Sequence, residues 1–472
     1  MTQSADPTFP SQDPEAVPPP PAGVLGLPTR SWRSSRRIFW AVLPSSSPLR
    51  GRRLQLLVSS RFLSESSQQM LTYAALIALG SQSSFKAALV MIASLLPQTM
   101  FGLAGGVVAD WLPKRIALMI GYAAQAAICF ALPFVLGDSL FGVLGLLFLV
   151  FAFAQISAPA EASIVPLVVE ERQLVSANSW ISFAVVAGSV VGTVIFAPIL
   201  VKVFDVKPVF ILSGIFFCLA MARLFALSIG RPKVDPLRVE NVQRPDLRSV
   251  FRWLGENRMP FLMLSLGVLA GAANFAMVML APRYTAEVLH ADPANAVYIF
   301  WTSGLGLFAG LLIGPYIIRG LGAWTAALLG FFLITVSLFL LGVIDFTVDI
   351  LNAIGLIDIY KLGFLPISDR LAAASIMAAP LGFGITVATL SAQTYLNATV
   401  PEALQGRIFA IYLVLRNGSA IIPLLLMGLV AEVTGVQPVT ALAPFLLLGL
   451  AIYAARLHTR WSRSLQAPAY PA

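Results

Sequence analysis

The chain contains about a dozen apolar blocks, and each is long enough to cross a lipid bilayer as one helix. A membrane-spanning helix needs about 20 mostly apolar residues, and 58% of the 472 residues are hydrophobic whereas only 11% are charged. The sequence therefore predicts an all-α membrane protein with twelve transmembrane helices, and this composition excludes a disordered chain. The predicted spans are 55–79, 87–109, 115–136, 139–166, 174–200, 207–229, 260–284, 295–318, 322–344, 371–397, 406–431 and 437–456.

Polar segments divide these spans into two groups of six. We predict a Pro-rich disordered tail with a basic membrane-surface segment, a six-helix half, a cytoplasmic linker, a second six-helix half with an extracytoplasmic insertion, and a cytoplasmic tail. Their bounds, in that order, are 1–53, 54–229, 230–259, 260–456 with the insertion at 345–370, and 457–472. The insertion is too charged to cross the membrane, so we expect a short helix at its surface.

The basic residues are distributed unequally between the two sides of the predicted membrane. With the N-terminus inside, the cytoplasmic segments hold 22 Lys and Arg residues and the opposite side holds six. Cytoplasmic loops carry such an excess, so we expect both termini in the cytoplasm and the protein in a plasma or inner membrane. The same distribution accounts for the net charge of +9, which argues against nucleic acid as a partner.

The loop after span 2 contains a Gly and an Asp followed by a Pro-Lys-Arg sequence. Gly106, Asp110, Pro113, Lys114 and Arg115 match the Gly-x-x-x-Asp-[Arg/Lys]-x-[Gly/Pro]-[Arg/Lys]-[Arg/Lys] motif of the major facilitator superfamily, which the chain resembles. The Gly allows close packing of helices, and a carboxylate at a helix end can meet a facing helix N-terminus or Arg. The resemblance implies two pseudo-symmetric halves and a gating role for this loop.

A second stretch, 157–180, is similar to one subgroup of that superfamily. Pro159, Pro166 and Asn178 follow the pattern of enterobactin-exporter-like and macrolide-efflux-like proteins around spans 4 and 5. Span 5 lacks the Gly-Pro of the drug-antiporter signature, since Thr follows Gly192. The resemblance implies a secondary transporter of small molecules that works by alternating access.

Three charged residues fall inside the predicted spans that, in this superfamily, line the central cavity. Arg61 and Glu65 are four residues apart in span 1 and therefore share a helix face, and Glu161 lies in span 4. Buried charges in a membrane are functional candidates by default. Glu65 is the preferred proton-responsive group, with Arg61 and Glu161 facing each other near the cytoplasmic mouth. A static triad that fixes helix packing is the alternative.

Further polar residues in the spans are candidates for substrate contact. Gln69, Gln155 and Asn274 fall on the expected cavity-lining spans, although helix–helix hydrogen bonding is an equal alternative. Arg416 and Asn417 lie about ten residues into span 11. Arg416 either neutralises an anionic group or lies among backbone carbonyls of a neighbouring helix.

The sequence predicts neither an enzyme nor a cofactor. Two Cys and two His, far apart in the chain, form no metal-ligand pattern, and no Gly-Lys phosphate loop is present. We expect a monomeric, proton-coupled exporter of a small amphipathic molecule, with the proton and membrane lipids as its other partners. The alternatives are a lysophospholipid or lipid facilitator or uniporter on the same fold and, more remotely, a non-transporting membrane receptor or scaffold.

Overall fold

The computed structural model describes residues 48–102, 113–135, 139–170, 173–204, 207–227, 247–362 and 367–466. Every regular element in these ranges is helical, as the sequence predicts. The long helices, in chain order, are α1 (Arg52–Ala75, continued by the π-helical turn Leu76–Gly80), α2 (Ser84–Phe101), α3 (Lys114–Val135), α4 (Leu140–Val168), α5 (Leu174–Val190, the π-helical turn Val191–Phe196 and Ala197–Phe204), α6 (Lys207–Phe225), α7 (Arg258–Glu287), α8 (Ala296–Leu321), α9 (Ala323–Gly342), α10 (Asp369–Thr399), α11 (Glu402–Thr434) and α12 (Val436–Gln466).

Ten of these helices, α2 to α11, are long and apolar enough to cross a membrane. The all-helical membrane fold is thereby confirmed. Helix α1 is more polar than a lipid-facing span, and the apolar part of α12 identified among the described residues is Val436–Leu447. The count of twelve crossings and the division into two six-helix halves therefore stay predictions.

The polar centre of α1 is buried among other helices. Ser60 Oγ donates to the carbonyl oxygen of Ala220 at 3.1 Å, and Ser67 Oγ donates to that of Ser213 at 3.3 Å, so α1 is bonded to α6. On its other side, Gly192 of α5 lies so close that a Cβ there would approach the carbonyl oxygen of Ser66 to 2.4 Å. Small residues permit such backbone contact, and the polar side chains of α1 are kept out of lipid.

Helix α10 is the most buried of the membrane-competent helices, and it packs between α8 and α9. A Cβ at Gly306 of α8 would meet the carbonyl oxygen of Ala379 at 1.9 Å, and one at Gly330 of α9 would meet that of Gly384 at 2.7 Å. The glycines therefore set the interaxial distances on both sides of α10.

Helices α2 and α11 run against each other and join the first and second groups of helices. A Cβ at Gly428 would lie 2.7 Å from the Cβ of Ala88, and one at Gly418 would lie 2.8 Å from Thr99. The contact thus extends over most of the length of α2. It brings residues from distant parts of the sequence to one central cavity.

The predicted insertion after α9 contains two short helices, Ile344–Ala353 and Leu356–Leu362, whereas the sequence predicts one. Gly355 between them has φ of +69°, a conformation that favours glycine and separates the helices. Ion pairs then connect the insertion to the start of α10. Arg370 Nη2 lies 2.7 Å from Asp345 Oδ1, and Lys361 pairs with Asp369.

Candidate functional site

A cluster of three charged side chains lies at the contact of α1 and α4. Arg61 Nη2 is 3.0 Å from Glu65 Oε2, as their spacing on one helix predicts, and Arg61 Nη1 is 3.4 Å from Glu161 Oε2. The expected proximity of Arg61 and Glu161 is therefore observed. Glu65 and Glu161 are only 7% and 4% exposed, so both carboxyls are almost entirely removed from bulk water, whereas the Arg61 side chain is 19% exposed.

The charges of this cluster do not balance when both carboxyls are ionised. One guanidinium faces two carboxylates, and Glu161 Oε1 is buried with no hydrogen-bond partner among the described residues. Leaving an uncompensated charge buried is costly. A single proton on either carboxyl would remove the excess charge, so the cluster has the chemical means to hold a proton.

A polar cavity of about 200 Å³ begins one helical turn from the cluster. Gln69 lines this cavity, and its Nε2 donates to Glu65 Oε1 at 2.9 Å. Asn274 of α7 lies in the cavity wall, as do Ser94 and Gln98 of α2. Helices α1, α2, α4, α5, α7 and α8 all contribute to the wall. One amide, that of Gln69, thus connects the cavity with the charge cluster.

The remaining predicted polar residues do not line this cavity. Asn417 Nδ2 of α11 donates to Gln98 Oε1 at 3.1 Å, so Asn417 supports a lining residue without lining the cavity itself. Gln155 donates to the carbonyl oxygen of Phe151, one turn earlier in α4, and is not in the wall. Of the four predicted cavity residues, the structure brings Gln69 and Asn274 together.

Arg416 lies between α7 and α11, next to the cavity wall. A Cβ at Gly271 would approach its Cγ to 2.4 Å, so glycine provides the space for the arginine side chain. Its guanidinium carbon is 5.8 Å from the ring centroid of Phe275, which lines the cavity, a distance at which a cation–π attraction operates. Among the described residues Arg416 forms no ion pair.

Sequence reasoning missed a buried polar network that extends from α1 to α3 and α4. Gln68 Nε2 donates to Gln125 Oε1 at 3.2 Å, and Gln125 Nε2 lies 3.4 Å from Ser157 Oγ. Neither Gln68 nor Gln125 is one of the residues predicted for the site. Gln68 lies beside Gln69 in the sequence and points to a different helix, which the residue pattern alone does not reveal.

A second missed feature is an ion-pair network that joins the ends of α2, α7 and α11. Arg283 Nη1 is 2.7 Å from Glu432 Oε2 and 3.0 Å from Ser84 Oγ. Glu432 Oε2 also accepts from Ser83 Oγ at 3.0 Å and from the backbone N–H of Phe85 at 3.3 Å. We call these five residues the terminal lock, because they bind α2 to the ends of two later helices.

Only part of the predicted gating motif can be described. Gly106 and Asp110 lie outside the described residues. Pro113 precedes α3, which begins at Lys114, and Arg115 Nη2 donates to the carbonyl oxygen of Phe225 at 2.8 Å, which connects α3 to the end of α6. The gating role of the motif remains a prediction.

An apolar chamber of about 410 Å³ adjoins the polar cavity. Residues of α7, α8, α9, α11 and α12 line it, and Met277 of α7 lines both spaces. No group of three His, Cys, Asp or Glu side chains that could hold a metal occurs in the part of the chain that the structure describes.

These features define the class of protein. Six helices line a polar cavity, five of them among the ten membrane-competent helices of the described residues, and a buried charge cluster contacts its wall, which is the arrangement of a membrane transporter. The family model of the Major Facilitator Superfamily matches residues 57–423. The chain belongs to the major facilitator superfamily.

Solved transporters share this fold at low sequence identity. The nucleoside transporter NupG aligns with a TM-score of 0.65 at 12% identity, over 86% of this chain and 98% of that one. A bacterial homologue of the human lysosomal transporter Spinster, in an inward-facing and occupied conformation, aligns with 0.63 at 12% identity, over 91% and 100%. A bacterial homologue of the iron transporter ferroportin gives 0.58 at 15%, over 85% and 98%. No curated protein sequence matches the chain.

Proposed function

We propose that this protein is a proton-coupled secondary transporter that exports a small amphipathic molecule by alternating access. It acts as a monomer in the cell membrane, with both termini in the cytoplasm, and it resembles the enterobactin-exporter-like and macrolide-efflux-like subgroup. The observation that carries the proposal is the hydrogen bond from Gln69, in the cavity wall, to Glu65, in the charge cluster. A bound substrate and a bound proton would therefore affect the same residues.

The coupling follows from competition for Glu65. While Glu65 is ionised, it accepts hydrogen bonds from both Arg61 and Gln69. A proton on Glu65 weakens both interactions. Arg61 then pairs with Glu161 alone, and the Gln69 amide is no longer held by Glu65. A substrate bound to this amide in its Glu65-held position thereby loses that contact, and thus substrate and proton each weaken binding of the other, as exchange of one for the other requires.

The terminal lock supports the alternating-access part of the proposal. In the orientation predicted by the basic residues, Arg283 and Glu432 lie at the extracytoplasmic ends of α7 and α11. Their contacts with Ser83, Ser84 and Phe85 hold that end of α2 against both helices. We infer that the lock closes the extracytoplasmic side while the cavity is open to the cytoplasm, and that it breaks when substrate is released.

Proton movement in proteoliposomes tests this function. Purified wild-type protein and Glu65→Gln would be challenged with a panel of lipophilic compounds and siderophores while the internal pH is recorded. We expect a compound-dependent pH change in the wild type that the variant lacks. Equilibration of the compound with no pH change in the wild type would contradict proton coupling.

A second candidate function is a lipid or lysophospholipid facilitator that works without a coupling ion. The observation in its favour is the apolar chamber, which shares Met277 with the polar cavity. Under this alternative, the charge cluster is a static element of helix packing. The proteoliposome experiment separates the two, because a facilitator moves substrate in Glu65→Gln as it does in the wild type.

A further inference from the structure

The polar cavity and the apolar chamber lie on opposite faces of one short segment of α7. Asn274 and Phe275 face the polar cavity, and Ala273 and Ala276 face the apolar chamber. Met277 contributes to both walls. Since Met is unbranched and has three rotatable side-chain bonds, it is the residue type best suited to a partition that changes shape.

The apolar chamber offers a ligand almost nothing to hydrogen-bond. Its polar side chains are Tyr284 and Thr440, and both are already satisfied. The hydroxyl of Tyr284 donates to the carbonyl oxygen of Leu341 at 2.5 Å, and Thr440 Oγ1 donates to that of Gln437 at 2.8 Å. A polar group placed in this chamber would lose its water without compensation, so the chemistry fits hydrocarbon.

The chamber also reaches the outer surface of the helices. Leu426, Leu446 and Leu450 line it and are 56%, 73% and 49% exposed. In a membrane protein this surface faces lipid chains. A volume of about 410 Å³ falls within the range of small-molecule sites, roughly 300–1,000 Å³.

We propose that the apolar chamber binds the hydrocarbon chain of a single-chain amphipath whose polar head lies in the neighbouring cavity. The inference rests on the proposed transport function, since it assigns the substrate class of the same site. The hydrocarbon chain of the ligand passes the side chain of Met277, which moves aside. Gln69 and Asn274 contact the polar head. A zwitterionic head is favoured, because the positive charge of Arg416 lies behind Phe275 and the negative charge of Glu65 lies behind Gln69.

The direct test compares binding of two probes that share a head and differ in chain length. Lysophosphatidylcholine with a 16-carbon chain and its 6-carbon analogue would be titrated into full-length protein in nanodiscs. Ala443→Phe places a large side chain in the chamber. Leu442→Phe, at the adjacent 65% exposed position outside the chamber, is the matched control.

We expect the wild type and Leu442→Phe to bind the 16-carbon probe at least tenfold more tightly than the 6-carbon probe. In Ala443→Phe that preference is lost, while affinity for the 6-carbon probe is unchanged. Equal affinity of the wild type for both probes would overturn the proposal, because it would mean that bilayer lipid fills the chamber permanently or that no chain enters.

A second variant keeps the test valid if Ala443→Phe does not fold. Met277→Trp obstructs the partition, whereas Met277→Leu nearly preserves its volume, so only the former loses the chain-length preference. Chain-length preference without substrate-driven proton movement would refute the coupling and leave this inference standing. Proton movement with the same affinity for both probes would refute this inference alone.

Discussion

Gln69 Nε2 donates to Glu65 Oε1 over 2.9 Å, and this bond connects the cavity wall with the charge cluster. Glu65 in turn pairs with Arg61, and Arg61 pairs with Glu161 of α4. A substrate that contacts the Gln69 amide therefore changes the interactions of two carboxylates, Glu65 and Glu161, which lie on different helices.

Replacing Gln69 by Leu should impair transport without unfolding the protein. The change removes both a cavity contact and a hydrogen bond to a charged group, and a bond of that kind contributes about 1.5–3 kcal/mol. We expect a loss in transport rate of at least tenfold, measured in proteoliposomes. Gln155→Leu is the matched control, because its amide bonds only within α4 and lies outside the cavity wall. Equal losses in both variants would remove Gln69 from the site.

Replacing Gly192 by Ala should destabilise the protein. The added Cβ would lie 2.4 Å from the carbonyl oxygen of Ser66, so α5 must move away from α1, at a cost of about 1–3 kcal/mol. A lower unfolding temperature in detergent is the expected result. At Gly145 of α4 a Cβ meets nothing within 4 Å, and Ala there should be neutral or slightly stabilising. Identical unfolding temperatures for the two variants would disprove the close contact.

Removing Arg61 should leave two carboxylates without their counter-ion. Loss of one partner of a buried ion pair costs on the order of 3 kcal/mol, so Arg61→Met should unfold at a clearly lower temperature than the wild type. Adding Glu65→Gln and Glu161→Gln to that variant should bring the unfolding temperature most of the way back to that of the wild type, because no uncompensated charge is then buried. If the triple variant is no more stable than Arg61→Met, the cluster does not act as one electrostatic unit.

Breaking the terminal lock should open the closed end of the cavity. Glu432→Gln weakens the contact with Arg283 and with the start of α2. A cysteine at Thr193, in the cavity wall, would report the opening, with both native cysteines replaced by Ala. We expect severalfold faster reaction with a membrane-impermeant maleimide added at the extracytoplasmic side.

The control for the lock is the ion pair of the insertion. Asp345→Asn removes the partner of Arg370, a pair 2.7 Å apart that joins the insertion to the start of α10. This change should leave the reaction rate at position 193 unaltered. The same acceleration in both variants would indicate general loosening of the fold and would refute a specific lock.

Local patterns in the sequence predicted the helices and the features that lie within one helix. Apolar blocks predicted most helix bounds within several residues, although α12 continues to Gln466, ten residues beyond the predicted end at 456. A spacing of four residues predicted the pairing of Arg61 with Glu65. The position of Glu161 opposite Arg61 required the family's arrangement of helices, because nothing within span 4 itself specifies its neighbour.

Contacts between distant helices were not predictable in the same way. The bond between Gln98 and Asn417 joins residues 319 positions apart, and Arg283, Glu432 and Ser84 come from three different helices. Each of these side chains looks like an ordinary polar residue in its own segment. Their partners depend on how the helices are arranged around the cavity, and the apolar chamber depends likewise on gaps among five helices.

The most direct test of the central claim is accumulation driven by an imposed pH gradient. A pH gradient across the proteoliposome membrane would be the only driving force for uptake of a radiolabelled substrate from the panel. This net uptake would be compared with the exchange of labelled for unlabelled substrate at equal pH on both sides. We predict that the wild type shows both, whereas Glu65→Gln retains exchange and loses gradient-driven accumulation. Gradient-driven accumulation that is undiminished in Glu65→Gln would contradict the assignment of proton coupling to the cluster beside Gln69.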